Sequence, residues 1–504
     1  MSDLSSNSYN ASHIEQRMFG LLEADNEEHS ACFNMSDDEF FSPNPLHIDN
    51  DLTCSDSSQM LDLLTSIKTI NITKPHGILG TITSDMQSMA RRRLDIAYPL
   101  YALQLLALIS AGRTGYDGAR MSCYTYIIAS TSAGKEHAQN YVKDRAGELK
   151  VIAQVTTKPR SGTDVIRCLV AQDGKITYII DEIHELFSAI SSKNSAAYLT
   201  EIGGLLLELA TSGCYLLAHK YKEEIGAIYS KKVQVIEKEL EKEPEQDKRL
   251  KLEKKLKFTT NILDKINNGF PSPCVSLAGA STPDKIDSMV SRESIESGFI
   301  GRGLLWRADE YREKQQKNRN NQANFDVIKR LKSILDGSRH EIKATSEAVK
   351  YLNFVNDTFD LDEYLNDPNV GGIYARLYER VINIASIMAV ESGTITLDDA
   401  KYAVACCIKH LDDCEFLLNK SNASEDGALL DELYSACKEL IIKRSTGKAN
   451  SLSQIEQSAK KNTQIKKNYG INAKLGNKWI FTHALDDLIS QNIIKMKGKK
   501  VVPA

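Results

Sequence analysis

Residues Ala129-Ser130-Thr131-Ser132-Ala133-Gly134-Lys135-Glu136-His137 follow the apolar run Cys123–Ala129 and lead into a helical pattern. A strand, a loop and a helix in that order can cradle phosphates with backbone N–H groups and a lysine ammonium at the helix N-terminus. Against the pattern Gly-x-x-x-x-Gly-Lys-Ser/Thr, the segment departs twice. Ala129 stands at the first glycine, and Glu136 stands where a hydroxyl ordinarily ligates Mg²⁺. The loop on its own is equally compatible with a plain strand-to-helix turn.

A second run, Lys175–Ile180, ends in Asp181-Glu182. Phosphoryl transfer uses such a pair: one carboxylate holds a hydrated Mg²⁺, and its neighbour polarises the attacking water. Asp181 is the expected metal residue, with Glu136 as a second candidate, and Glu182 is the expected general base. An ordinary helix with acids in its first turn gives the same local pattern. The order strand, Gly-Lys, helix, then strand, Asp-Glu favours nucleotide chemistry. A third apolar run, Cys274–Ala280, ends in Ser281-Thr282-Pro283. Thr282 is the expected polar contact to the γ-phosphate and its water, with Ser281 as second choice. Downstream, Arg302 lies in a glycine-bounded turn, Gly298-Phe299-Ile300-Gly301-Arg302-Gly303, a setting suited to a cation that neutralises charge on a transferred phosphoryl group.

These residues need a scaffold. Between Met121 and Trp306 near-continuous apolar runs alternate with helical ones, which predicts an α/β fold with a mostly parallel sheet covered on both faces. The charged stretch 230–257 reads as a helical insertion interrupted at Pro244. Residues 84–111 have helical spacing broken at Pro99, and 325–419 are helical throughout.

In order, these motifs resemble the Walker A loop, Walker B strand, sensor 1 strand and arginine finger of AAA+ ATPases. The stretch Tyr374–Met388, with Arg376, followed by Ile395-Thr396-Leu397-Asp398-Asp399-Ala400, is similar to the sensor 2 region of minichromosome-maintenance helicases. Residues 80 to 415 most resemble the helicase-type ATPases of phages, plasmids and other mobile elements. The resemblance implies a P-loop NTPase (AAA+-like) core with a helical lid and ATP with Mg²⁺ as cofactors. It assigns nucleotide binding to Ser130, Thr131, Ser132, Ala133, Gly134, Lys135, Glu136 and His137, and catalytic roles to Glu182, Thr282, Arg302 and Arg376. Arg302 would act across a subunit boundary, which implies a homohexameric ring.

The 504 residues are 42% hydrophobic and 26% charged, with net charge −4, a composition that excludes a collagen-like or wholly disordered chain. Charge is polarised along the sequence. Residues 1–66 hold 13 acids against Arg17, and residues 440–504 hold 13 bases against three acids. The first segment reads as a largely disordered acidic arm, in which Met18–Leu22 and Asp37–Phe41 could order on a partner. The last reads as three helices, one capped by Thr482, and a hairpin turning at Gly498. That winged-helix-like module, whose residues 440–504 carry +10, is suited to DNA. The expected organisation is therefore 1–66 acidic arm, 67–120 helical element, 121–315 ATPase core, 316–420 lid and 427–504 DNA-binding module.

The ten cysteines form no Cys-x-x-Cys pair, so neither a zinc site nor a disulfide framework is expected. The longest apolar run, Tyr98–Ala111, is interrupted by Gln104 and too short for a membrane span. Met1-Ser2-Asp3-Leu4 lacks the features of a secretion signal, and a cytoplasmic location is expected. The leading expectation is an ATP-driven DNA motor, a replicative helicase acting on single-stranded or forked DNA. Replication proteins such as primase or a single-strand-binding protein would meet its acidic arm. The alternatives are an AAA+ remodeller or loader acting on protein, and a nucleotide-gated DNA-binding protein that does not hydrolyse.

Overall fold

Apolar residues on both faces of each strand oblige the chain to bury its sheet between helices, and the computed structural model has that arrangement. The structure describes residues 53–191, 197–283, 285, 298–308, 314–317, 319, 324–337, 340–367, 369–446, 451–462, 474–475, 478–490 and 494–503. Five parallel strands form the central sheet: β1 (Tyr124–Ile128), β2 (Val155–Thr156), β3 (Lys175–Ile180), β4 (Cys274–Ser281) and β5 (Gly303–Arg307). Their spatial order is β2-β3-β4-β1-β5, so β4 lies between the loop-bearing strand and the acidic one. With all strands parallel, the residues that follow β1, β3 and β4 gather at one edge of the sheet. This is an α/β fold built on a five-stranded parallel sheet.

Alternation along β1 assigns its two faces. Thr125 faces helix α3 (Tyr98–Ser110), all of whose residues are buried. Tyr124 and Tyr126 face the other way, where Phe187 and Phe299 pack edge-on or tilted against the Tyr126 ring. Pro99 begins α3 instead of breaking it, because a proline in the first turn forfeits no helical hydrogen bond. Gln104, the polar interruption in this helix, is fully buried. Its Nε2 donates to the carbonyls of Cys123 and Leu277 and to Thr125 Oγ1. The expected separate element at 67–120 is thus an inner layer of the core, a correction that follows from burial. With α2 (Gly77–Met89), α3 also packs on α4 (Lys135–Glu148), which leaves the phosphate-type loop.

A second correction concerns the arm expected over 1–66. Its end forms helix α1 (Thr53–Ile67), with Met60, Leu63, Leu64 and Ile67 buried at i, i+3, i+4 and i+7 spacing. Residues 1–52, including Met18–Leu22 and Asp37–Phe41, lie outside the described residues.

Helix α5 (Gly162–Ala171) precedes β3 in the chain, and α6 (His184–Ser191) and α7 (Ala197–Thr211) follow it, on the Tyr126 face. Helices α8 (His219–Lys242) and α9 (Gln246–Asn268) form an antiparallel hairpin. It extends well beyond the 230–257 range set by charge, because its base carries the apolar positions Ile225, Ile262 and Ile266. The strand pair Cys214–Tyr215 with Phe270–Pro271 closes that base, and Lys265 pairs with Asp173 at 2.6 Å.

Strand β5 is an edge, and its outward N–H groups need acceptors. Helix α13 (Leu397–Ser445) provides them one turn apart: His410 Nδ1 accepts from Leu305 N at 2.9 Å, and Asp413 Oδ2 from Arg307 N at 2.8 Å. Helices α10 (Phe325–Asp336), α11 (Ser346–Phe359) and α12 (Gly371–Met388) complete this unit, which runs through Leu417. Asn324 caps α10 and Thr345 caps α11 through side-chain oxygens.

The unit from Leu418 onward holds the end of α13, α14 (Leu452–Lys461), α15 (Ile480–Ser490) and the hairpin Ile494–Lys497 with Lys500–Pro503. Cys437, Ile441, Ile455, Phe481, Leu488, Ile494 and Val501 form its core. Helix α15 starts at Ile480, so Thr482 sits inside its first turn and not at its cap. Gly498 turns the hairpin at φ 63°. Among the described residues, no helix is long and apolar enough to cross a membrane.

Candidate nucleotide site

The chain leaves β1 at Ile128 and enters α4 at Lys135, and two left-handed residues, Ser132 (φ 61°) and Gly134 (φ 107°), make the tight turn between them. Gly134 is required twice over. Its φ disfavours any side chain, and a Cβ there would lie 2.6 Å from the Arg92 carbonyl. Arg92 also donates from Nη1 to the Ser132 carbonyl at 2.8 Å, so the segment ahead of α3 braces the loop from outside. Sequence reading misses Arg92; the run Arg91-Arg92-Arg93 is its only signal.

Lys135 is buried, and its Nζ donates to the carbonyls of Ala129 and Ser281, each at 2.9 Å. Burial lowers its pKa, while the carboxylates of Glu182, Asp181 and Glu136 act in the opposite sense. The ammonium therefore sits within the field of all three acids. Asp181 is exposed, Glu182 half-exposed, and Glu136 lies exposed in the first turn of α4.

The register places these groups together. Ile128 pairs with Ser281 and Ile180 with Gly279, so the loop, Asp181-Glu182 and Ser281-Thr282 all leave the same sheet edge. Glu182 has φ 54°, Ile183 N donates to the Ala280 carbonyl, and Ile183 packs where a Cβ on Gly279 would lie 2.7 Å away. His184 Nδ1 is 3.0 Å from Glu182 Oε2 and 3.3 Å from Ser281 Oγ. Nothing in the spacing of the sequence gives this histidine a part.

Three expected residues sit elsewhere. The His137 ring is committed to the Met86 carbonyl at 2.9 Å and to the edge of Tyr98, so it tethers α4 to α2 instead of facing phosphate. Arg302 immediately precedes Gly303, which pairs with Tyr124 at the start of β1. Some four residue steps, roughly 13 Å of strand, separate that end from the loop. Arg376 on α12 joins Arg302 there: a Cβ on Gly298 would collide with both guanidinium groups. Arg302 donates to the Gly298 carbonyl, Arg376 to that of Gly372, and Arg380 to that of Arg302. Burial lowers the Arg302 pKa, and the neighbouring cations Arg376 and Arg380 lower it further. Arg376, expected among the catalytic residues, lies away from Lys135, because α12 packs at the far end of β1.

The donor set fits a magnesium-bound triphosphate. The loop offers turn amides and a buried lysine, and the edge offers one exposed carboxylate. Mg²⁺ shared with phosphates needs only one or two protein carboxylates. Among the described residues no cluster of three or more His, Cys, Asp or Glu could form an all-protein cage.

No family model and no curated protein matches the sequence. Among solved structures, the ORC2 protein of Aeropyrum pernix, determined as ADPNP and ADP complexes, matches at 14% identity and TM-score 0.23, over 81% of this chain and 88% of that one. So loose a likeness bears on neither site nor function.

Proposed function

We propose that this chain is an ATPase of the AAA+ type that works in a ring of identical subunits, most simply a hexamer, and couples hydrolysis to movement on DNA. Its role would be that of a replicative helicase of a phage or mobile element. The supporting observation is the division of charged groups between the two sheet edges. Lys135, Asp181, Glu182, Ser281 and Thr282 share one edge, while Arg302 and Arg376 present cations at the other. A subunit of this shape completes its site only with arginines from a neighbour.

In this reading the loop amides of Ser130–Gly134 and the Lys135 ammonium bind the β- and γ-phosphates. Asp181 holds the cation, assisted or opposed by Glu136. Mg²⁺, when bound, withdraws charge from the transferred phosphoryl group. Glu182 accepts the proton of the attacking water, and Thr282 orients that water. Arg302 and Arg376 of an adjacent subunit neutralise the charge that develops. The terminal module supplies the DNA contact: Lys495, Lys497, Lys499 and Lys500 line the exposed hairpin. The acidic arm would meet basic surfaces of replication proteins.

Measuring ATP turnover of the wild type and of Glu182→Gln, with and without single- and double-stranded DNA, tests this reading. It expects turnover that DNA stimulates and that the substitution lowers by about 10²–10⁴-fold, the usual contribution of a general base. Equal near-zero rates would exclude a motor. One observation favours a second reading, nucleotide-gated DNA binding without hydrolysis: Glu136 brings a negative charge where a hydroxyl is usual.

A further inference from the structure

We propose that His184 is a positioning residue of the hydrolysis site, which holds the Glu182 carboxylate and links it through Ser281 to the phosphate-binding lysine. The inference deepens the ATP-hydrolysis reading and rests on it.

His184 Nδ1 lies 3.0 Å from Glu182 Oε2, and because a carboxylate only accepts, holding it requires the imidazole proton on Nδ1. The same nitrogen is hydrogen-bonded to Ser281 Oγ at 3.3 Å, so the ring touches two elements. The ring is the better fixed partner: the His184 side chain is 14% exposed and that of Glu182 45%. Its position is set from both sides of the turn, because Ile183 is fully buried and bonded to Ala280, and Glu185 N donates to the Glu182 carbonyl.

Ser281 joins the two halves of the site. Its carbonyl accepts from Lys135 Nζ at 2.9 Å and its hydroxyl meets His184. A continuous path thus runs Lys135, Ser281, His184, Glu182, from the cation that would bind phosphate to the base that would take the proton. The histidine has a second consequence. Glu182 and Lys135 attract each other, and a carboxylate that swings onto the lysine is a poor proton acceptor. A contact to His184 competes with that pairing for the carboxylate.

The test compares wild type, His184→Ala, His184→Asn and Glu182→Gln by steady-state turnover, nucleotide affinity and thermal unfolding. His184→Ala should lower kcat about 10- to 100-fold, the range typical of residues that orient a reacting group through a hydrogen bond. Nucleotide affinity and melting temperature should stay near wild type. His184→Asn, whose amide N–H lies close to the position of Nδ1, should regain part of the loss. Adding His184→Ala to Glu182→Gln should cost little more than Glu182→Gln alone. An independent readout is the ring-¹⁵N spectrum of histidine-labelled, nucleotide-free protein, in which the signal that disappears in His184→Asn should report a proton on Nδ1. The proposal is overturned by an unchanged kcat in His184→Ala, by additive losses with Glu182→Gln, or by an Nε2-protonated ring. A wild type that hydrolyses no ATP overturns the hydrolysis reading itself, and the proposal with it.

Discussion

Lys135 and Arg302 flank neighbouring parallel strands at opposite ends. Lys135 follows the last residue of β1 by way of the loop, while Arg302 precedes Gly303, the partner of the first residue of β1. The two cations therefore serve one triphosphate only if it lies between two copies of the chain. Their substitutions should separate. Lys135→Ala should weaken nucleotide binding at least about tenfold. Arg302→Ala should bind nucleotide normally yet lose about 10³-fold or more in turnover, as trans-acting arginines do. Fluorescent-nucleotide titration beside a phosphate-release assay distinguishes these outcomes.

Gly279 is the closest-packed point beneath the acidic turn. An alanine there would bring a Cβ 2.7 Å from Ile183 Cγ1 and 2.8 Å from its Cβ, inside van der Waals distance. Ile183 must then move and carry Glu182 and His184 with it. Gly279→Ala should lower kcat more than nucleotide affinity and destabilise the protein by about 1–3 kcal/mol, the usual cost of overpacking. Kinetics and thermal melts on the same sample would show both effects.

The junction between α13 and β5 depends on a neutral histidine. Burial pushes His410 down to about 4 from 6.5, and its Nδ1 must stay unprotonated to accept from Leu305 N. Between those two values the unfolded chain binds a proton that the folded chain refuses. Stability from this group is therefore full above pH 6.5 and falls as pH drops toward 4, by about 3 kcal/mol in all. Asp413 is pushed up by burial and acts in the opposite direction at the acid end. Melting temperature against pH for wild type and His410→Gln should diverge, with the variant losing less of its own stability between pH 6.5 and 4.5.

The terminal hairpin should bind nucleic acid through charge. Replacing Lys495, Lys497, Lys499 and Lys500 together by alanine should weaken binding to all DNA sequences alike. It should also reduce the dependence of log affinity on log salt by up to about 0.9 for each phosphate that the hairpin no longer neutralises. Anisotropy titrations at several salt concentrations measure both. An unchanged slope would place the DNA-binding surface elsewhere.

Strands β1, β3 and β4 are readable because each is an apolar run buried on both faces: the run Cys123–Ala129 predicts a strand where Tyr124–Ile128 is found, and β3 and β4 agree as closely. What sequence does not supply is which end of which strand a residue occupies. The sequence gives no hint that Arg302 and Arg376 lie away from the loop, because linear order carries no information on strand ends. Gln104 looks like a flaw in an apolar helix because its acceptors come from Cys123, Thr125 and Leu277, distant in sequence. Thr53–Ile67 is lost in its acidic, serine-rich surroundings, although four apolar positions at helical spacing mark it. His184 has no visible weight without the strand that brings Ser281 beside it.

The most direct measurement mixes two inactive proteins. Lys135→Ala and Arg302→Ala are each assayed alone, then combined at increasing ratios under conditions that allow subunit exchange. If sites form between neighbours, mixed assemblies contain interfaces with an intact Lys135 on one side and an intact Arg302 on the other, and ATP turnover should reappear and peak near equal ratio. Turnover that stays at the level of the separate variants at every ratio, in assemblies shown to have exchanged, would contradict the account.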